Sequence, residues 1–186
     1  MTPSFQHHRS VSQHSQAQLH SQGLLASILA DCARVCREQG RPSLAATLDV
    51  APHHEQAVVA DPTLVRRVLE PLIRRAMESA AQPDANGESP VVREIVITSI
   101  DVGNAIEIEV ADSGPSLPDP VRRWLNDTAD GLQFPSITPD GAGLALAAVR
   151  AAAARMDGTL HAVNCPEGGV AITLRLPRRQ SQRLAA

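Results

Sequence analysis

The chain has no lysine at all. Its 17 basic residues are all arginine, against 20 acidic ones, for a formal net charge of -3. A compositional bias accounts for the missing lysine without a functional reason, and the charge balance gives no sign of a nucleic-acid or anionic-membrane partner. Aromatic residues make up only 2% of the chain, so any core must be aliphatic. Cysteine is scarce and odd in number. Cys32, Cys36 and Cys165 lack metal-ligand spacing, and Cys32 and Cys36, four residues apart on one helix face, read as reduced core residues. No apolar run reaches membrane-spanning length, and Met1 to Ser21 lacks the apolar stretch of a signal peptide. A soluble, cytoplasmic chain is expected, with no membrane partner.

What is present is organised. Length and a hydrophobic content of 43% suit one domain with a real core plus a tail. Residues 1–21, rich in Ser, Gln and His, are expected to be a disordered tail, 22–177 the folded domain and 178–186 a polar tail. From Gln22 to Gly40 an apolar stripe of helical period runs through Leu25, Ile28, Cys32 and Cys36. Leu44 to Val50 reads as a short strand, and Ala57 to Ala60 as another. Asp61-Pro62 is a helix start, and Val65, Val68, Leu69, Leu72, Ile73 and Ala76 keep helical period to about Ala80. Val91–Ile100 and Ala105–Ala111 form a hairpin, the second strand alternating Ile106, Ile108 and Val110 with Glu107 and Glu109. A short helix falls at Val121–Leu125. Helices packed on one face of a mixed sheet follow, a two-layer α/β sandwich.

Two glycine motifs stand out. The strand ends in Asp112-Ser113-Gly114. Further on, Gly141 and Gly143 open directly into an alanine-rich helix, where free N–H groups and the positive dipole end suit phosphate. A final hairpin turns at Pro166-Glu167-Gly168-Gly169.

The order strand, D-x-G, variable loop, G-x-G, helix, hairpin resembles the nucleotide-binding domain of the GHKL ATPases, with its Bergerat fold. It is most similar to the ATP-binding domain of sensor histidine kinases. Ser136 to Leu146, S-I-T-P-D-G-A-G-L-A-L, is similar to the T-T-K-P-D-G-x-G-L-G-L of one kinase subgroup, and the resemblance covers roughly Leu24 to Pro177. It implies ATP as cofactor. Asp112 would receive the adenine amine, Gly114 would give the adenine edge room, Gly141, Gly143 and the following Leu144 would hold phosphates, and the intervening loop would be a lid. It also implies a signalling partner, either a phosphoacceptor-bearing chain or a response regulator.

The same comparison exposes departures. The family's N-L-x-x-N-A motif, whose second asparagine chelates magnesium, is L-E-P-L-I-R-R-A at Leu69 to Ala76. Arg75 takes the chelating position, and a guanidinium has no lone pair for a metal. Pro71 takes the first asparagine position and should kink the helix. Glu70, one place earlier, is a candidate general base or a solvated helix charge. Ser116 replaces the second glycine of D-x-G-x-G after a stiff Pro115, and Thr138 replaces a lid lysine. His7, His8, His14, His20 and His54 lack the context of a phosphoacceptor and read as solvated loop residues, and His161 as a structural strand residue. Trp124, in the lid region, either caps the pocket or packs under the loop.

The expectation is a stand-alone histidine-kinase-like ATP-binding domain of two-component signalling, with weak or no phosphotransfer of its own. ATP would bind without magnesium, Arg75 facing the phosphates, and no metal site is expected. A catalytically silent, partner-binding pseudokinase domain and an anti-sigma-type serine kinase remain alternatives.

Overall fold

The structure, a computed structural model, describes residues 23–39, 44–51, 53–54, 61–82, 93–127 and 142–178. The proposed N-terminal tail, the C-terminal tail beyond Arg178, the short strand at 57–60, Thr138 and Gly141 lie outside the described residues. The elements run α1 (Leu24–Glu38), β1 (Ala45–Asp49), α2 (Pro62–Ala80), β2 (Glu94–Asp101), β3 (Ala105–Asp112), α3 (Asp119–Asn126), α4 (Ala142–Ala154), β4 (Thr159–Asn164) and β5 (Val170–Pro177).

Local chemistry sets the helices. The Asp61 side chain accepts from the Thr63 N–H at 2.7 Å, and Pro62 occupies the first helical position of α2. Val65, Val68, Leu69, Leu72, Ile73, Ala76, Met77 and Ala80 then make its buried stripe. Pro71 brings no N–H to the ladder, yet α2 is one continuous helix across it. On α1, Leu25, Ile28, Cys32 and Cys36 face the core, both cysteines as buried free thiols; Cys165 is half-buried on the last turn.

The five strands form one mixed sheet in the order β1-β2-β3-β5-β4. β1 runs parallel to β2 and the other pairs are antiparallel. Ile95, Ile97, Ile106, Ile108, Val110, Ile172 and Leu174 point into the layer shared with the helices, and Glu107, Glu109, Thr173 and His161 alternate to the other face. This is the expected two-layer α/β sandwich.

One edge of the sheet is covered. The Asn126 carboxamide donates to the Ala162 carbonyl at 3.0 Å and accepts from its N–H at 2.6 Å. The Asn164 carboxamide does the same for Leu117, at 2.9 and 3.0 Å. These two clamps lay the segment around α3 along β4; the first satisfies the Ala162 peptide groups that the edge strand would otherwise leave open, and the second those of Leu117. Trp124 packs in the core rather than over a pocket: it is buried, and the Arg150 guanidinium lies 4.7 Å from its ring centroid while donating to the Trp124 and Asp127 carbonyls.

His54 departs from expectation. It is buried, with Nδ1 2.7 Å from the Ser99 hydroxyl of β2. A loop histidine with a polar partner 45 residues away escapes solvent, and no local pattern announces such a partner.

Candidate functional site

The site is built where the end of β3 meets the inner face of α2. The alternation Ile106, Ile108, Val110 continues to Asp112, so the carboxylate points into the helix-facing layer. β3 is a central strand: Asp112 pairs with Ile95 on one side and Val170 on the other. Its side chain is 1% exposed.

A carboxylate at that depth needs partners. Asp112 Oδ1 accepts from the Gly114 N–H at 2.9 Å, and Oδ2 from Arg75 Nη1 at 3.0 Å. The Ser79 hydroxyl is a further hydrogen-bond partner. Arg75 and Ser79 are one helical turn apart on α2, which puts both over the end of β3. Burial pushes the Asp112 carboxyl above its ordinary range, while the Arg75 charge, the Gly114 N–H and the Ser79 hydroxyl pull it back.

Two glycines allow this approach. A Cβ on Gly114 would run into the hydroxyl and the carbonyl of Ser79, so α2 could not sit this close to the strand end. Gly169, at φ +89°, lies against the Asp112 carbonyl, where a Cβ would collide. Gly114 therefore gives room to Ser79 here. Sequence reasoning passed over Ser79 and Gly169. The four-residue spacing from Arg75 to Ser79 was the available signal for the first; nothing local marks the second.

Beside this cluster a groove of about 250 Å³ opens between α2 and α4. Pro71, Arg74, Arg75 and Glu78 line it from α2, and Ala145, Leu146 and Val149 from α4. Arg75 thus belongs to both places, lining the groove while its guanidinium holds Asp112. Gly143 lies in the first turn of α4; Leu144 follows it in the same turn, its side chain outside the described residues. Glu70 is turned elsewhere. It accepts from Arg74 at 2.7 Å and lies 3.7 Å from Arg66, which also pairs with Asp31 of α1. Among the described residues no group of three His, Cys, Asp or Glu is placed to hold a metal ion. No helix among them is long and apolar enough to cross a membrane.

The sequence profile of the histidine kinase-, DNA gyrase B- and HSP90-like ATPases matches residues 60–180. The C4-dicarboxylate transport sensor protein DctS of Rhodobacter capsulatus is 32% identical over 154 residues, 83% of this chain and 21% of DctS. The chain therefore spans about a fifth of that relative's length. Among solved structures, the catalytic domain of the histidine kinase ThkA superposes with a TM-score of 0.61 at 23% identity, over 83% of this chain and 92% of that one. Full-length ShkA in complex with AMPPNP gives 0.62 at 20% identity, over 85% of this chain and 30% of that one. The chain belongs to the family of histidine kinase-, DNA gyrase B- and HSP90-like ATPases, and its fold is that of histidine-kinase catalytic domains.

Proposed function

We propose that this chain is the nucleotide-binding domain of a two-component-type signalling protein, that it takes ATP without magnesium, and that its own phosphotransfer is weak or absent. Its partner would be a signalling protein, either a phosphoacceptor-bearing chain or a response regulator. One observation carries the reading: Arg75, at the position where the resemblance puts a magnesium-chelating asparagine, is one of the residues that line the groove between α2 and α4. Arginine offers five donors and no acceptor. It neutralises phosphate charge directly and repels a divalent cation from the same spot. The residues fit a purine nucleotide in kind. Asp112 is a buried acceptor for an exocyclic amine, and in the adjoining groove Arg74 and Arg75 outnumber the one carboxylate of the lining, Glu78. The complex of the structural relative ShkA with AMPPNP, an ATP analogue, supports the ligand class. Gly143 at the start of α4 supports a phosphate position.

Phosphoryl transfer depends on positioning and charge neutralisation, to which a metal contributes heavily. Replacing that ion by a guanidinium keeps binding and sacrifices transfer. Calorimetry with ATP in magnesium and in excess chelator tests this. The reading expects the same affinity in both and no magnesium-dependent turnover. A tenfold loss of affinity on chelation, or robust magnesium-dependent transfer to a histidine, would contradict it.

A second reading, a silent partner-binding domain, is favoured by the Arg75–Asp112 ion pair, which fills the base acceptor with a side chain of the protein itself.

A further inference from the structure

Arg75 lines the groove, and its guanidinium is bonded to Asp112, the proposed base acceptor; this double placement has a chemical consequence. Asp112 Oδ2 is taken by Arg75 Nη1 at 3.0 Å, and Oδ1 by the Gly114 N–H at 2.9 Å. A base amine that approaches Asp112 must displace one of them. The Gly114 N–H is fixed by the backbone. Arg75 is the partner that can leave, because it sits on a long rotatable stem and its side chain keeps 19% exposure, against 1% for Asp112.

We propose that Arg75 makes base recognition at Asp112 conditional on phosphate in the groove, so that the site selects nucleotides and rejects nucleosides. This rests on the nucleotide-binding reading above. A nucleoside brings only a neutral amine. Exchanging a guanidinium for that amine breaks a charge-assisted bond, replaces it with a weaker one and strands a cation in a partly buried position. A nucleotide also brings phosphate oxygens into the groove that Arg75 already lines. The planar fork then exchanges carboxylate for phosphate without losing an ionic partner, and Asp112 is released for the amine. The exchange needs only side-chain rotation, since the same residue touches both places. Phosphate and base binding are therefore positively coupled through one side chain, and the coupling is reciprocal.

The test uses the full chain and three probes, adenosine, ATP and pyrophosphate, with calorimetry on the parent and on Arg75→Ala, plus Arg75→Gln in case the alanine variant folds poorly. Adenosine affinity is expected to rise at least tenfold in the variants, while ATP affinity falls. Opposite signs for the two ligands are the diagnostic, because a general loss of structure would weaken both. In the parent, saturating pyrophosphate is expected to strengthen adenosine binding several-fold, and in the variants to leave it unchanged. The pyrophosphate arm decides on the parent alone if neither variant folds. Adenosine binding that is unchanged or weaker in a folded variant, or indifferent to pyrophosphate in the parent, overturns the gating while leaving nucleotide binding intact. Failure of the parent and both variants to bind ATP overturns the nucleotide-binding reading, and the gating with it.

Discussion

Arg74 and Arg75 are neighbours in one helix, carry the same side chain and both line the groove, yet their guanidinium groups have different partners. Arg74 is half-exposed and pairs with Glu70, part of a surface set with Arg66 and Asp31 that ties α2 to α1. Arg75, turned by about 100°, reaches a carboxylate sealed under the helix. Solvent screens the first pair, and ordering two long side chains offsets most of its attraction. In the second, desolvation raises the stakes on both sides: the pair adds little net stability as a pair, but breaking it leaves a buried charge alone. The outer face of α2 is therefore tolerant, and its inner face is where substitution has consequences.

The largest expected effect is on the inner face. Arg75→Ala should cost about 2–3 kcal/mol in urea unfolding near pH 7, somewhat below the figure of about 3–5 kcal/mol usual for half of a buried pair. The Gly114 N–H and the Ser79 hydroxyl remain to share the load. Removing Arg75 also takes away the strongest influence holding the Asp112 pKa down, so burial raises that pKa further. A carboxyl with a raised folded pKa favours the folded state fully below its unfolded value of 3.8 and loses that contribution as pH climbs through the folded value. The gap between variant and parent should therefore narrow as pH falls from 7 toward 4. A gap that widens toward acid would mean that Asp112 is not the partner.

Gly114→Ala comes next, at about 1–3 kcal/mol, the range for forcing a methyl into a packed contact. The new Cβ runs into backbone as well as side-chain atoms of Ser79, and backbone cannot swing aside. The smallest effect belongs to Arg74→Ala, expected to change stability by less than about 0.5 kcal/mol in the same unfolding measurement. A loss from Arg74→Ala equal to that from Arg75→Ala would erase the distinction between the two faces.

How much of this was legible beforehand follows from what is local. The Asp61-Pro62 start and the apolar stripe of α2 are local, and they place the helix and its buried face. The alternation of β3 is local too, and extending it by one step puts Asp112 inside. The order of the two glycine motifs then fixes the family and the sandwich. What local pattern left out is pairwise and distant. The stripe directs Arg75 inward but does not name its partner, and the expected phosphate-facing role says nothing of the bond to Asp112 37 residues on. The close approach of Gly169 to Asp112, and the burial of His54 against Ser99, arise only when separate strands meet. Trp124 could not be assigned from its position near the loop because its cation, Arg150, lies on another helix.

The central claim is that Asp112 and Arg75, the proposed base acceptor and the residue at the proposed metal position, form one unit. A double-mutant cycle addresses it most directly, with urea unfolding of the parent, Arg75→Ala, Asp112→Asn and the combined variant at neutral pH. The account predicts that the double variant loses less than the sum of the singles by about 1.5 kcal/mol or more, within the range found for contacting residues. Additivity within about 0.5 kcal/mol, the behaviour of independent sites, would show that Arg75 and Asp112 do not hold each other, and would contradict the account.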